Sequence, residues 1–260
     1  MRAPTSLPHV ARPDRMNPAV SIPSLTDAES QRLAARMTSL AREMAAVPEL
    51  ADFAQTGWLP DRFFDLLDEL YAAYDAYIGH NIVGSTLKIQ CRAGCSRCCL
   101  QAVHGVYAFE VINLYRQLRE LPEYGDIHNA FVARADEFQR LVAEFMAAHE
   151  IRDPNDPQAA AYALAKFAAI NTRQCPLLRD NACSVYAQRP VPCRMYHSLT
   201  HPIHCMTALG QNFSIEPPEE ANAILWDISA QLAFPFCEYL AQGLVSFAFR
   251  RQFRPWAAPT

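Results

Sequence analysis

Glycine is scarce in this chain of 260 residues: there are eight, at 57, 79, 84, 94, 105, 125, 210 and 243, and no two stand nearer than five positions. No GxG pair exists, and no GK[ST] either, which excludes the dinucleotide fingerprint and the phosphate loop, since both need glycines to bring backbone amides against phosphate. Excess positive charge is also missing. Lys and Arg number 23 against 27 Asp and Glu, for a formal charge of −4, so no global field draws a phosphate backbone and a nucleic acid partner is not expected. No apolar run nears the roughly 20 residues that span a bilayer, and the N-terminus lacks the short apolar stretch of a signal peptide. Neither membrane nor export is expected, and the reading places the chain in a reducing cytoplasm, where nine cysteines are more readily metal ligands than disulfides.

Strand signals are nearly absent too. Few β-branched runs alternate, and the hairpin dipeptides NG and DG do not occur. What is present is helical periodicity. Residues 1–25 carry five prolines and little apolar pattern and read as a disordered tail. From Thr26, paired with Glu29 as a capping box, Leu33, Met37, Leu40, Met44 and Val47 recur at spacings of four and three up to Pro48. A second helix from Pro60 sets Phe63, Leu67, Leu70, Tyr74 and Tyr77 on one face and ends at Gly79. Residues 107–121 form a third, and Phe131, Ala135, Phe138, Val142 and Phe145 mark a fourth. An alanine-rich helix follows over about 158–170. A proline-rich irregular stretch then runs to about 218, ahead of helices over about 218–233 and 237–250. The fold class expected is all-α: one domain over residues 26–255, built as a single bundle of six or seven helices with an irregular Pro/Cys-rich segment. The aromatic stripes are read as core seams, and the Phe-rich end at Phe234, Phe236, Phe247, Phe249 and Phe253 as core or a dimer face.

The chemistry is concentrated in cysteine. Eight of the nine fall in two groups, Cys91, Cys95, Cys98 and Cys99, then Cys175, Cys183, Cys193 and Cys205, while Cys237 stands apart as a buried small hydrophobe. The first group reads Cys-x3-Cys-x2-Cys-Cys, whose members would lie within about 80° of one helical face, although Gly94 argues for a turn through part of it. Thiolates that converge repel as they ionise unless a cation offsets them, so a metal is the natural compensating charge. Tetrahedral zinc and an iron–sulfur cluster are both within reach of such spacings. In the second group the prolines of Cys175-Pro176 and Arg189-Pro190-Val191-Pro192-Cys193-Arg194 stiffen the loop before any ligand arrives. Arg189 and Arg194 could balance an anionic thiolate centre or a substrate carboxylate, and their plainer roles are capping and ion pairing. His197, His201 and His204 could supply further ligands or move a proton, and their plainer role is at the surface or at a cap. Pro202, and the lack of a Glu after His197, disfavour metalloprotease chemistry.

At these residues the sequence resembles the YkgJ family of cysteine-cluster proteins, named for a CxxCxxCC motif. The segment Cys91-Arg92-Ala93-Gly94-Cys95-Ser96-Arg97-Cys98-Cys99 is similar to its first motif, with three residues between the first two cysteines where the family's name has two. The segment from Cys183 to Arg194, preceded by Cys175-Pro176, is similar to its second. The resemblance covers roughly residues 89–205 and implies chelation of zinc or iron, without fixing a reaction or a substrate. The expected protein is thus a metal binder in which Cys91, Cys95, Cys98, Cys99, Cys175, Cys183, Cys193 and Cys205 jointly hold an iron–sulfur cluster or Zn²⁺, with Arg189, Arg194 and His197 beside the cofactor. A similar cysteine signature in flagellin lysine-N-methylases implies the alternative of a protein-modifying enzyme acting on a protein partner. A redox or metal-delivery protein is the third possibility.

Overall fold

The fold is drawn from a computed structural model that describes residues 27–258 apart from 86–87, 93, 154–155, 171–173, 206–210 and 255, and that leaves out the side chains of 168–170. The proline-rich stretch 1–25 and Thr26 lie outside the described residues.

The structure is largely helical. The first helix, α1 (Ala28–Ala45), starts one residue later than the Thr26 capping box would place it: Asp27 is the N-cap, its Oδ1 accepting from the backbone N–H of Glu29 and of Ser30 at 2.9 Å. The expected apolar stripe, Leu33, Met37, Leu40 and Met44, is buried along its length. After a short helix α2 (Phe53–Thr56), the long helix α3 (Asp61–Val83) begins behind Pro60 and runs four residues past the expected stop at Gly79. An isolated glycine costs a helix only about 1 kcal/mol, and Ile78 and Asn81 continue the buried face on both sides of it, so tertiary packing carries the helix on to Gly84.

Helix α4 (Ala108–Leu118) is the central element, with every residue from Ala108 to Tyr115 buried. Helices α8 (Glu219–Gln231) and α9 (Leu240–Arg250) pack against it, and α1 packs against α3 and α8. Phe109 meets Phe63 of α3 edge-on, with ring centroids 6.0 Å apart. Helix α5 (Tyr124–Ala148) pairs with α6 (Pro157–Ile170) and leans on α9. Apolar burial divides accordingly. One large cluster joins α1, α3, α4, α8, α9 and parts of the cysteine-rich stretch, while a smaller one, Phe138, Leu141, Val142, Ala159, Ala163 and Phe167, lies between α5 and α6. Each of the seven helices read from periodicity is present, but their cores form two clusters and not one seam. At the Phe-rich end Phe234 and Phe247 are buried, whereas Phe236, Phe249 and Phe253 are exposed.

Strands, whose signals are nearly absent from the sequence, do occur as short pairs in the cysteine-rich segment. Strands β1 (Leu178–Arg179) and β2 (Ala182–Cys183) pair antiparallel with Arg179 opposite Ala182. The two residues between them, Asp180 and Asn181, have φ of 49° and 62°. A two-residue hairpin loop of type I′ has positive φ at both positions, and Asp and Asn tolerate it best after glycine, so this dipeptide stands where NG or DG was sought. A five-residue helix α7 (Val191–Met195) follows, and then β3 (Tyr196–Ser198) pairs antiparallel with β4 (Asn212–Ser214).

Candidate metal centre

The first cysteine motif does not lie on one helix. Cys91 and Cys95 are in irregular chain, Gly94 has φ of +81°, and only Arg97–Leu100 forms a 3₁₀ turn carrying Cys98 and Cys99. A left-handed residue three positions before the turn breaks the helical geometry, as Gly94 permits. The motif is held from both ends. Downstream, residues 103–106 bond to the start of α9, with Leu240 N–H donating to Val103 O (3.0 Å) and Val106 N–H to Glu238 O (3.2 Å). Upstream, Gln90 N–H donates to Ser198 O (2.8 Å) in β3, and Ser198 N–H donates to Cys91 Sγ (3.2 Å).

The second motif is stacked on α3 and α4. Glu110 of α4, fully buried, accepts from the Tyr71 hydroxyl (2.9 Å), from Val191 N–H at the start of α7 (2.7 Å) and from Tyr107 N–H (3.1 Å). The Pro-Val-Pro run that opens α7 has its φ angles preset, so Cys193 sits on a rigid turn. Cys183 lies in β2 opposite Leu178, and Ser184 N–H closes the hairpin on Leu177 O at 2.8 Å. Cys205 is tied to β4, its carbonyl accepting from Asn212 Nδ2 at 2.9 Å.

The two motifs are stitched to each other. Cys175 N–H donates to Cys99 O at 2.8 Å, and Ser96 Oγ donates to Asn181 Oδ1 at 3.3 Å. With the bonds of Gln90 and Cys91 to Ser198, four hydrogen bonds join segments about 76 to 108 positions apart. The eight clustered cysteines are free thiols; Cys91 and Cys98 reach the surface and the other six are half-buried. Burial pushes the thiols of Cys91, Cys175, Cys183, Cys193 and Cys205 up. Neighbouring thiols add to this: Cys98, Cys175 and Cys183 act on Cys193, and Cys91, Cys98 and Cys95 on Cys205. Cys98 is the exception. Hydrogen bonding to Cys99 favours its thiolate and brings it down to about 7, while the same bond, with burial, holds the Cys99 thiol up.

These are proton-holding thiols that repel one another on ionising, the state in which a cation is stabilising and its binding releases protons. The donor set is sulfur, the choice of zinc or iron–sulfur chemistry over oxygen-seeking calcium or magnesium. Among the described residues no three His, Cys, Asp or Glu side chains form, as placed, a group able to hold a metal ion. The fit to a metal is therefore one of donor chemistry and shared location.

The charged residues named from sequence divide. Arg194 is wholly buried, with Nε donating to Arg189 O (2.8 Å), Nη1 to Asp75 and Nη2 to Ala187 O, and its guanidinium lies 4.2 Å from the centre of the Tyr71 ring. All three nitrogens are committed to the protein, and they lock the second motif to α3. Arg189 stacks on Tyr186 at 4.0 Å, lies 3.9 Å from Asp75, and keeps a buried Nε with no hydrogen-bond partner. Its charge acts on Cys91, Cys98 and Cys183. His197, in β3 opposite Phe213, also has an unpartnered buried Nε2, and burial, with the Arg189 charge, brings it down to about 4, so it is neutral. His201 takes the capping role, its Nδ1 accepting from Ile203 N–H at 3.4 Å. Cys237 is buried in the main core.

One residue escaped the sequence reading. Arg134 of α5 is only 5% exposed, although it falls between Phe131 and Ala135 on the core-facing side of an amphipathic helix. Its Nη2 donates to Gln101 O at 2.7 Å and its guanidinium lies 4.8 Å from the centre of the Phe167 ring. Together with Cys175 and Gln242 it supplies the polar lining of an otherwise apolar cavity of about 20 Å³. A cation on the apolar face was the available signal, and the aromatic seam around it masked it.

No curated protein and no solved structure matches the chain. A family model does match, over residues 90–212: CxxCxxCC, described as a "Putative zinc- or iron-chelating domain". That stretch, just under half of the chain, contains all eight clustered cysteines and leaves Cys237 outside.

Proposed function

We propose that this chain is a metal-binding protein whose two cysteine motifs, residues 91–99 and 175–205, jointly hold zinc or an iron–sulfur cluster within one helical domain over residues 26–255. The observation that carries this reading is the direct bond from Cys175 N–H to Cys99 O, which makes the two sulfur-rich segments neighbours in space. The match of residues 90–212 to a zinc- or iron-chelating family model supports it independently.

Within this reading the thiols of Cys91, Cys95, Cys98, Cys99, Cys175, Cys183, Cys193 and Cys205 are the ligand candidates, and Cys91 and Cys205 are tied to the β3–β4 pair. A bound metal would act as the electrostatic partner of these thiolates or, as a cluster, carry one electron. Arg189 offsets part of the negative charge of Cys91, Cys98 and Cys183, and Arg194 positions Cys193 by fixing α7 on Asp75. His197 stays neutral at the edge of the site, able to donate or accept through one nitrogen. Free thiols in this number fit a reducing compartment, and the cytoplasm is the location this reading expects. No described helix is long and apolar enough to cross a membrane.

Anaerobic purification followed by elemental analysis and visible absorption tests the reading. Expected is stoichiometric zinc without colour, or iron with acid-labile sulfide and a visible charge-transfer band, and loss of that metal in both C99A and C175A. Protein that carries neither element and takes up neither on reconstitution overturns it.

A further inference from the structure

We propose that Arg134 is the buried counter-cation of the cysteine centre: its guanidinium, set at the junction of the two motifs, balances the negative charge that sulfur ligands leave after a divalent ion or cluster is bound. The inference rests on the metal-binding reading above.

The placement is specific. Arg134 donates to Gln101 O at 2.7 Å, and Gln101 N–H donates to Cys98 O at 3.1 Å, so the guanidinium is anchored directly behind the adjacent pair Cys98 and Cys99. Cys99 in turn accepts from Cys175 N–H at 2.8 Å, and Cys175 shares a cavity wall with Arg134. The site is screened from solvent by Phe131, Phe138, Phe167 and Leu240. A guanidinium taken out of water costs several kcal/mol unless an anion or several acceptors compensate it. The charges acting on it are, in order, those of Cys175, Cys99 and Glu137 of its own helix. Ionised sulfur on the same cavity wall is thus a source of that compensation. Four thiolates around a divalent cation leave a net negative site, the anion that a buried, permanently charged group would meet. Arg suits the place better than Lys because its planar fork can keep one donor on Gln101 O while its face lies on Phe167. Arg134 acts through the ligands and touches no metal, which makes it a positioning residue. Groups one step behind metal ligands typically change affinity by about 10- to 100-fold.

The test compares zinc affinity, measured at one pH by competition with a chromophoric chelator, in wild type, R134Q, R134K and E137Q purified anaerobically. R134Q keeps a donor for Gln101 O and removes the charge; R134K keeps the charge. Expected is a loss of affinity of about tenfold or more in R134Q, with R134K restoring most of it. In E137Q, where the competing carboxylate is gone, binding tightens by a few fold. Folding is checked by circular dichroism, and if R134Q does not fold, E137Q decides: unchanged or weaker zinc binding there overturns the proposal. Folded R134Q that binds zinc as wild type does overturns it while leaving the metal reading intact. Wild type that binds no zinc or iron overturns both.

Discussion

Glu110 and His197 pull the stability of this protein in opposite directions over the same pH range. The Glu110 carboxyl is pushed up to about 7 by burial, against the opposing hydrogen bonds from Val191, Tyr107 and Tyr71. Unfolded, it titrates near its ordinary value of 4.5. The folded chain therefore holds a proton that the unfolded chain has already lost, and this stabilisation is complete below the lower value and disappears as pH rises to the upper one, a change of roughly 3 kcal/mol at most. His197, lowered to about 4, works the other way: the unfolded chain takes up a proton near 6.5 that the folded chain refuses, so its stabilisation is lost as pH falls. In wild type the two slopes offset each other between about pH 5 and 6.5. Urea unfolding across that range should show stability falling on acidification in E110Q, where only the histidine slope remains, and rising on acidification in H197Q. His197 was named in the sequence among residues that could move a proton, whereas Glu110 was not legible as a titrating centre. Glu110 sits in an ordinary first-turn position, and only its burial against Tyr71 and Val191 reveals the cost.

At the scale of elements, helices were legible because their apolar residues recur with the helical period over several turns, as with Leu33 to Met44 and Phe131 to Val142. Their ends were less so. Gly79 reads as a stop but lies inside α3, because a local penalty of about 1 kcal/mol yields to the buried positions Ile78 and Asn81 on either side of it. Two-residue strands such as Leu178–Arg179 have no period to detect, and their hairpin depends on an Asp-Asn pair whose positive φ is a tertiary outcome. Helix α9 carries a constraint of its own at Gly243. A Cβ there would meet Phe236 O at 3.1 Å, Cys237 Cα at 3.3 Å and Val111 Cγ2 at 3.3 Å. Two of those atoms are backbone and the third belongs to α4, so little can give. G243A, which on propensity alone should gain up to about 1 kcal/mol, is expected instead to destabilise the protein by about 1–3 kcal/mol, read as a lower urea midpoint with an unchanged slope.

On the scale of the whole molecule, the eight-cysteine pattern pointed to two distant segments acting together, yet the bonds that join those segments were not readable. No spacing rule foretells that Cys99 O meets Cys175 N–H, or that Ser198 clasps both Gln90 and Cys91. Those bonds depend on where α3, α4 and α9 place the intervening chain. The same division of labour sets an expectation for metal removal. The main apolar cluster of α1, α3, α4, α8 and α9 is complete without sulfur ligation, whereas residues 90–100 and 175–205 contribute few buried apolar side chains. Hydrogen exchange after chelation should therefore show faster exchange of the amides of Gln90, Cys175, Ser184 and Ser198, with those of α4 as protected as before. Loss of protection throughout α4 would mean that the ion holds the entire fold.

The bond between Cys99 and Cys175 also pinches the polypeptide at the neck of an excursion. The described residues between Cys99 and Cys175, including α4, α5 and α6, lie in the stretch of chain that this bond closes. A protease cut in the connection between α5 and α6 would then sever the covalent path without parting the fragments, since each side of the nick remains sewn in place: α5 against α9, and the segment beyond α6 to the first motif. Two halves expressed separately have the same surfaces with which to find one another.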